Sequence, residues 1–275
     1  NSFEGFRFSK SSCDNPLCAV NPKFIAFCID CGGGGAFQVI PVSKLGRLSA
    51  TYPRFDAHSG DILDIQFNPF NDNQIATCSD DTTIKIWDIP EGEMLTSIGT
   101  PFMELARHQK KVHIIEWHPI AADVLLSCGG DNVIFVWNIL DGEVMFTLEH
   151  PDAVFCISWT WDGKYFATSG KDLYIRLYDP RQDDPEQQLI QITKEKAFEG
   201  KKQMQIKCLK DDLLVATGFG RSSDRQYSLW NTNDLSQPLM SDELDQTSGV
   251  LFIVYDYDTN MIYFVGRGDT TIRFY

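Results

Sequence analysis

Three histidine and aspartate pairs recur along this chain at almost constant spacing: His58 with Asp81, His108 with Asp131, and His150 with Asp172, at gaps of 23, 23 and 22 residues. A histidine oriented by a carboxylate is half of a general-base site. Catalysis would also require a positioned nucleophile and a place for developing charge, and no constellation in the sequence supplies them. Chemistry is rarely built three times over in one chain. The recurrence therefore marks the pairs as structural, and neither a catalytic residue nor a cofactor is assigned.

Other chemical signals are discounted for equally specific reasons. Cys28 and Cys31 form a CxxC, with Cys13 and Cys18 nearby, but zinc takes two short-spaced pairs on turns and Cys28 falls in an apolar strand. No metal is assigned. Eight cysteines are too sparse for a disulfide scaffold, and Cys78, Cys128 and Cys156 read as small core residues. Gly32 to Gly35 lack both a following helix and a P-loop Lys with Ser or Thr, so they read as a hairpin turn. In the triplet Arg267, Gly268 and Asp269, the Asp belongs to the structural repeat described next.

The elements that position these residues are repeated strands. DTTIKIW (81–87), DNVIFVW (131–137), DLYIRLY (172–178), DRQYSLW (224–230) and DTTIRFY (269–275) share one pattern: Asp, two variable residues, apolar, variable, apolar, aromatic. Their aromatic ends, Trp87, Trp137, Tyr178, Trp230 and Tyr275, lie 50, 41, 52 and 45 residues apart, the period of a propeller blade. The alternation is that of a strand, and no long amphipathic helix interrupts it. Each of the three histidines also stands nine residues before an aromatic, Phe67, Trp117 or Trp159.

Four positions before each paired Asp stands a hydroxyl: Thr77, Ser127 or Thr168. The spacing predicts a hydrogen-bond chain from Asp to His to hydroxyl to the indole of Trp87 or Trp137, tying the turns of a blade to its inner strands. In the third set, His150, Thr168, Asp172 and Tyr178, a phenol must supply the last link or the chain ends early. Phe198 stands where a fifth blade would carry its histidine, and the sixth has none. The unit at 24–41 lacks both Asp and Trp yet has paired apolar strands about a glycine turn, and counts as the first blade. The fold class is all-β, a propeller of about six four-stranded blades.

Charge narrows the partners. A net charge of −14 opposes general attraction to nucleic acid or anionic lipid. No apolar run approaches the roughly eighteen residues of a membrane span, and NSFEGFRFSK has no signal-peptide core. A cytoplasmic location is the expectation. The chain reads as trimmed at both ends, starting at Asn1 and stopping within a strand.

The His, Ser or Thr, Asp and Trp set resembles the WD-repeat family. More narrowly, CAVNPKFIAF (18–27), GGGAFQVIPVSKLGRL (33–48), HSGDILDIQFNPFNDNQIATCSDDTTIKIWDIPEG (58–92), WHPIAADVLLSCGGDNVIFVWN (117–138), TGFGRSSDRQYSLWN (217–231) and GVLFIVYDYDTNMIYFVGRGDTTIRFY (249–275) resemble the coronins. The resemblance implies a single seven-bladed propeller, of which residues 1–275 would be an incomplete part, with the closing blade, a C-terminal extension and an oligomerising coiled coil outside this stretch. An unclosed propeller exposes its end blades, so this stretch alone is expected to be poorly stable.

The resemblance also implies actin filaments as partner, other actin regulators as further partners, and the actin cytoskeleton as location. Actin is acidic, so an acidic propeller needs a local basic patch. Arg7, in EGFRFSKS, matches the family position implicated in filament binding. Lys10, Lys44, Arg47, Lys110 and Lys111 are the remaining candidates, Lys10 facing the other side of an ideal strand from Arg7. A WD-repeat adaptor for another peptide or protein is the competing reading.

Overall fold

The computed structural model describes residues 3–5, 7–9, 11, 13–44, 46–49, 51–92 and 94–275, Phe3 by its backbone alone. Lys10 lies outside the described residues. The strands form six successive antiparallel sheets, five of four strands and a last one of three. Each four-stranded sheet is a meander, and the middle strands are the most apolar because both of their faces are covered. Gln74–Ser79 and Phe166–Gly170 are buried along their whole length, whereas the outer strand Glu143–Glu149 alternates. Outer strands carry charge where they meet solvent, as in the acidic Met240–Asp245, which guards a sheet edge against further pairing.

The chain forms two compact units. One runs to Trp117 and includes Ala122–Met145; the other comprises His118–Ala121 and Phe146–Tyr275. In the first unit, the sheet Cys18–Val20, Phe24–Ile29, Gly35–Pro41 and Phe55–His58 packs on the sheet Ile62–Phe67, Gln74–Ser79, Ile84–Asp88 and Met103–Leu105. Phe37 and Phe55 stack at 4.5 Å and meet Trp87 edge-on. The other face of the second sheet packs, through Ala76, Cys78, Ile84 and Ile86, on Val112, Ile115, Leu125 and Trp137 of the third. The core thus lies between blades, which is why a repeat unit is not stable alone.

The same layering holds in the second unit. Ala167, Ile175 and Leu177 of the fourth sheet meet Ile206, Leu214 and Trp230 of the fifth, and Val215 of the fifth meets Leu251 and Phe264 of the sixth. The sixth sheet consists of Leu251–Asp256, Met261–Gly266 and Ile272–Phe274, and so has three of the four expected strands. All eight cysteines are free, with Cys28, Cys78, Cys128 and Cys208 buried.

A bulge recurs in the first strand of the second, third and fourth sheets, at Ile62/Asp64, Val112/Ile114 and Val154/Cys156. Bulges leave backbone N–H groups unpaired. Asp64 takes up two of them, accepting from Ile65 N at 2.8 Å and, from the next sheet, Ile115 N at 3.1 Å. Burial dominates this carboxyl and pushes its pKa up to about 7 despite both donors.

Candidate protein-interaction surface

The recurrent polar sets hold the blade turns in place. At the second sheet, His58, which ends the outer strand of the first, places Nδ1 3.0 Å from Asp81 Oδ2 and Nε2 2.9 Å from Thr77 Oγ1, while Trp87 Nε1 donates to that hydroxyl at 3.0 Å. The proton order follows from the partners. A carboxylate accepts, so Nδ1 donates to Asp81; Nε2 then accepts the Thr77 proton, leaving the Thr77 oxygen to accept from the indole. Burial raises the Asp81 pKa, but hydrogen bonds from His58 and Thr83 outweigh it and hold the carboxyl well below its ordinary range.

The third sheet repeats the arrangement. His108 Nδ1 is 3.2 Å from Asp131, its Nε2 is 2.8 Å from Ser127 Oγ, and Trp137 Nε1 donates to Ser127 at 2.8 Å. Burial lowers the His108 pKa, against the opposing pull of Asp131.

The fourth sheet departs from the expected chain. His150 Nε2 lies 3.1 Å from Thr168 Oγ1, but its Nδ1 turns to the Asp152 carbonyl at 2.6 Å and not to Asp172. Asp172 is taken instead by both terminal nitrogens of Arg176, four residues on. A bidentate guanidinium is the stronger partner for a carboxylate, and the gap to the histidine is one residue shorter here. Tyr178 adds no hydrogen bond to Thr168; it stacks on Phe166 at 5.6 Å, and burial pushes its phenol up to about 12. The chain therefore ends at Thr168.

At the sixth sheet an arginine from the fifth stands in for the missing histidine. Arg225, with no solvent exposure, donates to Asp269 Oδ2 at 2.6 Å and Oδ1 at 3.2 Å, and to the Gly249 carbonyl at 2.6 Å. Backbone geometry explains its inward aim. In the second to fourth sheets the residue after the repeat Asp takes a left-handed conformation, Thr82, Asn132 or Leu173; in the fifth it is the residue before, Ser223, with φ of 67°. The turn is thus completed one step earlier, and Arg225 begins a strand, Arg225–Asn231.

These tethers leave the surface charges to make contacts. Phe3–Glu4 pairs in parallel with Gly46–Arg47, and Leu48 N donates to the Glu4 carbonyl at 2.9 Å. Gly5, at φ of 95°, passes so close that a Cβ there would stand 3.1 Å from the Leu48 carbonyl oxygen. This crossing brings the Arg7 segment beside the loop of Lys44 and Arg47. Arg7 and Arg47 are exposed, whereas Lys44 is half-buried with its Nζ 4.9 Å from the Tyr52 ring centroid.

Arg7 lines a polar cavity of about 510 Å³ with Asp30, Ser49, Tyr52, Arg54 and Asp56. Arg54, an isolated loop residue that no repeat column marks, pairs there with Asp56 at 2.7 Å. Tyr52 also borders a second cavity of about 880 Å³, whose lining is mainly apolar, with Lys23 and Lys44 as its charged members. Lys110 and Lys111 are exposed on the third sheet beside Gly130, in the turn region at the strand ends opposite the loop carrying Lys44 and Arg47. They do not line the cavity that Arg7 shares with Arg54. Among the described residues no cluster of three or more His, Cys, Asp or Glu could hold a metal ion, and no helix is long and apolar enough to cross a membrane.

Repeated four-stranded sheets, their hydroxyl tethers and their aromatic columns define a WD-repeat β-propeller, and six blades are present. A family model described as "WD domain, G-beta repeat" matches residues 48–88 and 142–179, and one described as a domain of unknown function, DUF1899, matches residues 1–47. The chain is 40% identical to coronin-2A of Homo sapiens and 43% identical to coronin-2A of Bos taurus, in each case over its whole length. It spans about half of those relatives, 52%. A crystal structure of the WD40 domain of Toxoplasma gondii coronin superposes with a TM-score of 0.92 at 28% identity, covering 98% of this chain and 69% of that one. Over its whole length the chain is thus similar to coronins.

Proposed function

We propose that this propeller binds the side of actin filaments as a non-catalytic platform, through the basic group gathered around Arg7, and that it works in the cytoplasm at the actin cytoskeleton. The observation that carries the reading is the cavity that exposed Arg7 shares with Arg54, next to the crossing of the N-terminal segment over the 46–48 loop of Arg47, in a chain of net charge −14. Long-range repulsion between two acidic proteins has to be offset locally by such cations. Single exposed pairs contribute about 0–1 kcal/mol, so several cations must act together. Other actin regulators and a coiled coil beyond residues 1–275 complete the proposal on the side of partners and oligomerisation.

Pelleting with filaments tests it. Binding should saturate at low salt and weaken steeply as salt rises, because it is electrostatic; no pelleting at low ionic strength would contradict it.

The 880 Å³ apolar cavity favours a second reading, an adaptor for an apolar peptide. Substituting Val42→Asp on its wall would then abolish partner capture while leaving filament pelleting intact.

A further inference from the structure

Ser49 stands out among the hydroxyl groups of the 41–54 loop because of what surrounds it. It is exposed on the loop between Gly46–Arg47 and Phe55–His58, and it lines the same polar cavity as Arg7 and Arg54. Its Oγ lies 2.9 Å from Thr51 Oγ1 and accepts from Thr51 N at 3.2 Å, so a local turn presents the oxygen at the cavity wall. Arg47 and Lys44 stand two and five residues upstream of it. Thr51 has Ser49 and Gly46 at those positions, and Ser43 has Pro41 and Gln38.

We propose that Ser49 is a phosphorylation site for a basophilic serine/threonine kinase, and that its phosphate is held across the cavity by Arg7 and Arg54. The upstream cations supply the charge such a kinase reads. In the transfer, Ser49 Oγ bonds to the γ-phosphorus of ATP as the bond to the β,γ-bridging oxygen breaks. ADP departs, and the seryl proton passes to the kinase's catalytic base.

The cavity now holds two guanidinium groups, Arg7 and Arg54, against two carboxylates, Asp30 and Asp56. A phosphate of about −1.5 to −2 reverses that balance. Its three acceptor oxygens suit bidentate guanidinium pairing and compete with Asp56 for Arg54. The consequence for partners rests on the filament reading: phosphorylation takes Arg7 out of the contact and repels an acidic filament.

The test begins with the purified chain, ATP and a purified cyclic-AMP-dependent kinase. Tandem mass spectrometry should place phosphate on Ser49, Ser49→Ala should abolish that peptide, and Arg47→Gln should slow its appearance. Phosphorus NMR then titrates the phosphoserine. Its second pKa should rise by at least about half a unit in Arg7→Gln and in Arg54→Gln, relative to the otherwise unaltered phosphoprotein, as loss of a partner cation requires. Unchanged melting temperatures show that the variants fold. Phosphorylation should lower filament affinity at least about tenfold, equivalent to about 1.4 kcal/mol. A chain that takes no phosphate at Ser49, or a phosphate whose pKa ignores both arginines, overturns the proposal. If the unmodified chain does not pellet with filaments, the filament reading falls, while mass spectrometry and titration still decide the assignment of Ser49.

Discussion

The second and third sheets hold their turns with imidazole, and the sixth holds its turn with a buried guanidinium. In both cases the repeat aspartate is the fixed point, Asp81 and Asp131 facing His58 and His108, Asp269 facing Arg225. The difference lies in reach and in charge. A loop histidine links the aspartate to a hydroxyl and then to an indole, building a hydrogen-bonded chain into the core. An arginine ends the chain at once and meets the carboxylate with a cation. The lesson is that the repeat conserves a restrained turn, and different side chains supply the restraint.

Removing each restraint breaks the comparison in a graded way. Arg225→Leu leaves Asp269 without its buried cation and should destabilise the chain by about 3–5 kcal/mol, read by urea denaturation. A loss under about 1 kcal/mol would show that the guanidinium is a dispensable filler. Thr77→Val strands both the Trp87 indole and the His58 ring and should cost about 1–3 kcal/mol, with local loss of amide protection in Gln74–Ser79.

The fourth sheet sharpens the contrast, because its aspartate is already held by Arg176. His150→Asn should therefore destabilise by about 1 kcal/mol less than His108→Asn. Equal effects would mean that the Arg176 pairing does not relieve the histidine.

A smaller, pH-linked effect belongs to Asp64. Its folded pKa of about 7 lies above the unfolded value of about 3.9, so the folded state binds more protons in between. Its contribution is fully present below the unfolded value and is lost as pH rises through about 7. The stability of the protein relative to Asp64→Asn should thus decline from about pH 4 to about pH 7 and level off above, and a flat difference throughout would contradict the burial of a carboxyl at that bulge. The His108 ring has the opposite sign, since burial lowers its pKa and its stabilisation is lost as pH falls below the unfolded value of about 6.5.

The blade pattern was legible because each column repeats and is local. Trp87 and Trp137 could be matched to Thr77 and Ser127 by counting alone, and the Asp- and Trp-less first blade was legible from its apolar strands and glycine turn. What escaped counting was non-local or singular. Arg225 lies 44 residues before the aspartate it holds, and only the shift of the left-handed residue from after the aspartate to before it turns that side chain inward. Arg176 was visible four residues from Asp172, but its outcompeting of His150 depends on strand geometry. Arg54 carries no repeat signature at all; it becomes part of the Arg7 cavity through the path of the 48–54 loop. Lys110 and Lys111 looked equivalent to Lys44 and Arg47 as charges, yet they belong to the opposite ends of the strands.

That last separation offers the most direct test. Arg7→Asp and Lys110→Asp change the net charge equally, so filament pelleting of the two variants distinguishes a placed basic group from overall charge. The account predicts that Arg7→Asp weakens pelleting at least about tenfold with an unchanged melting temperature, while Lys110→Asp stays within about twofold of the parent protein. Equal loss in both, or full binding by Arg7→Asp, would contradict it.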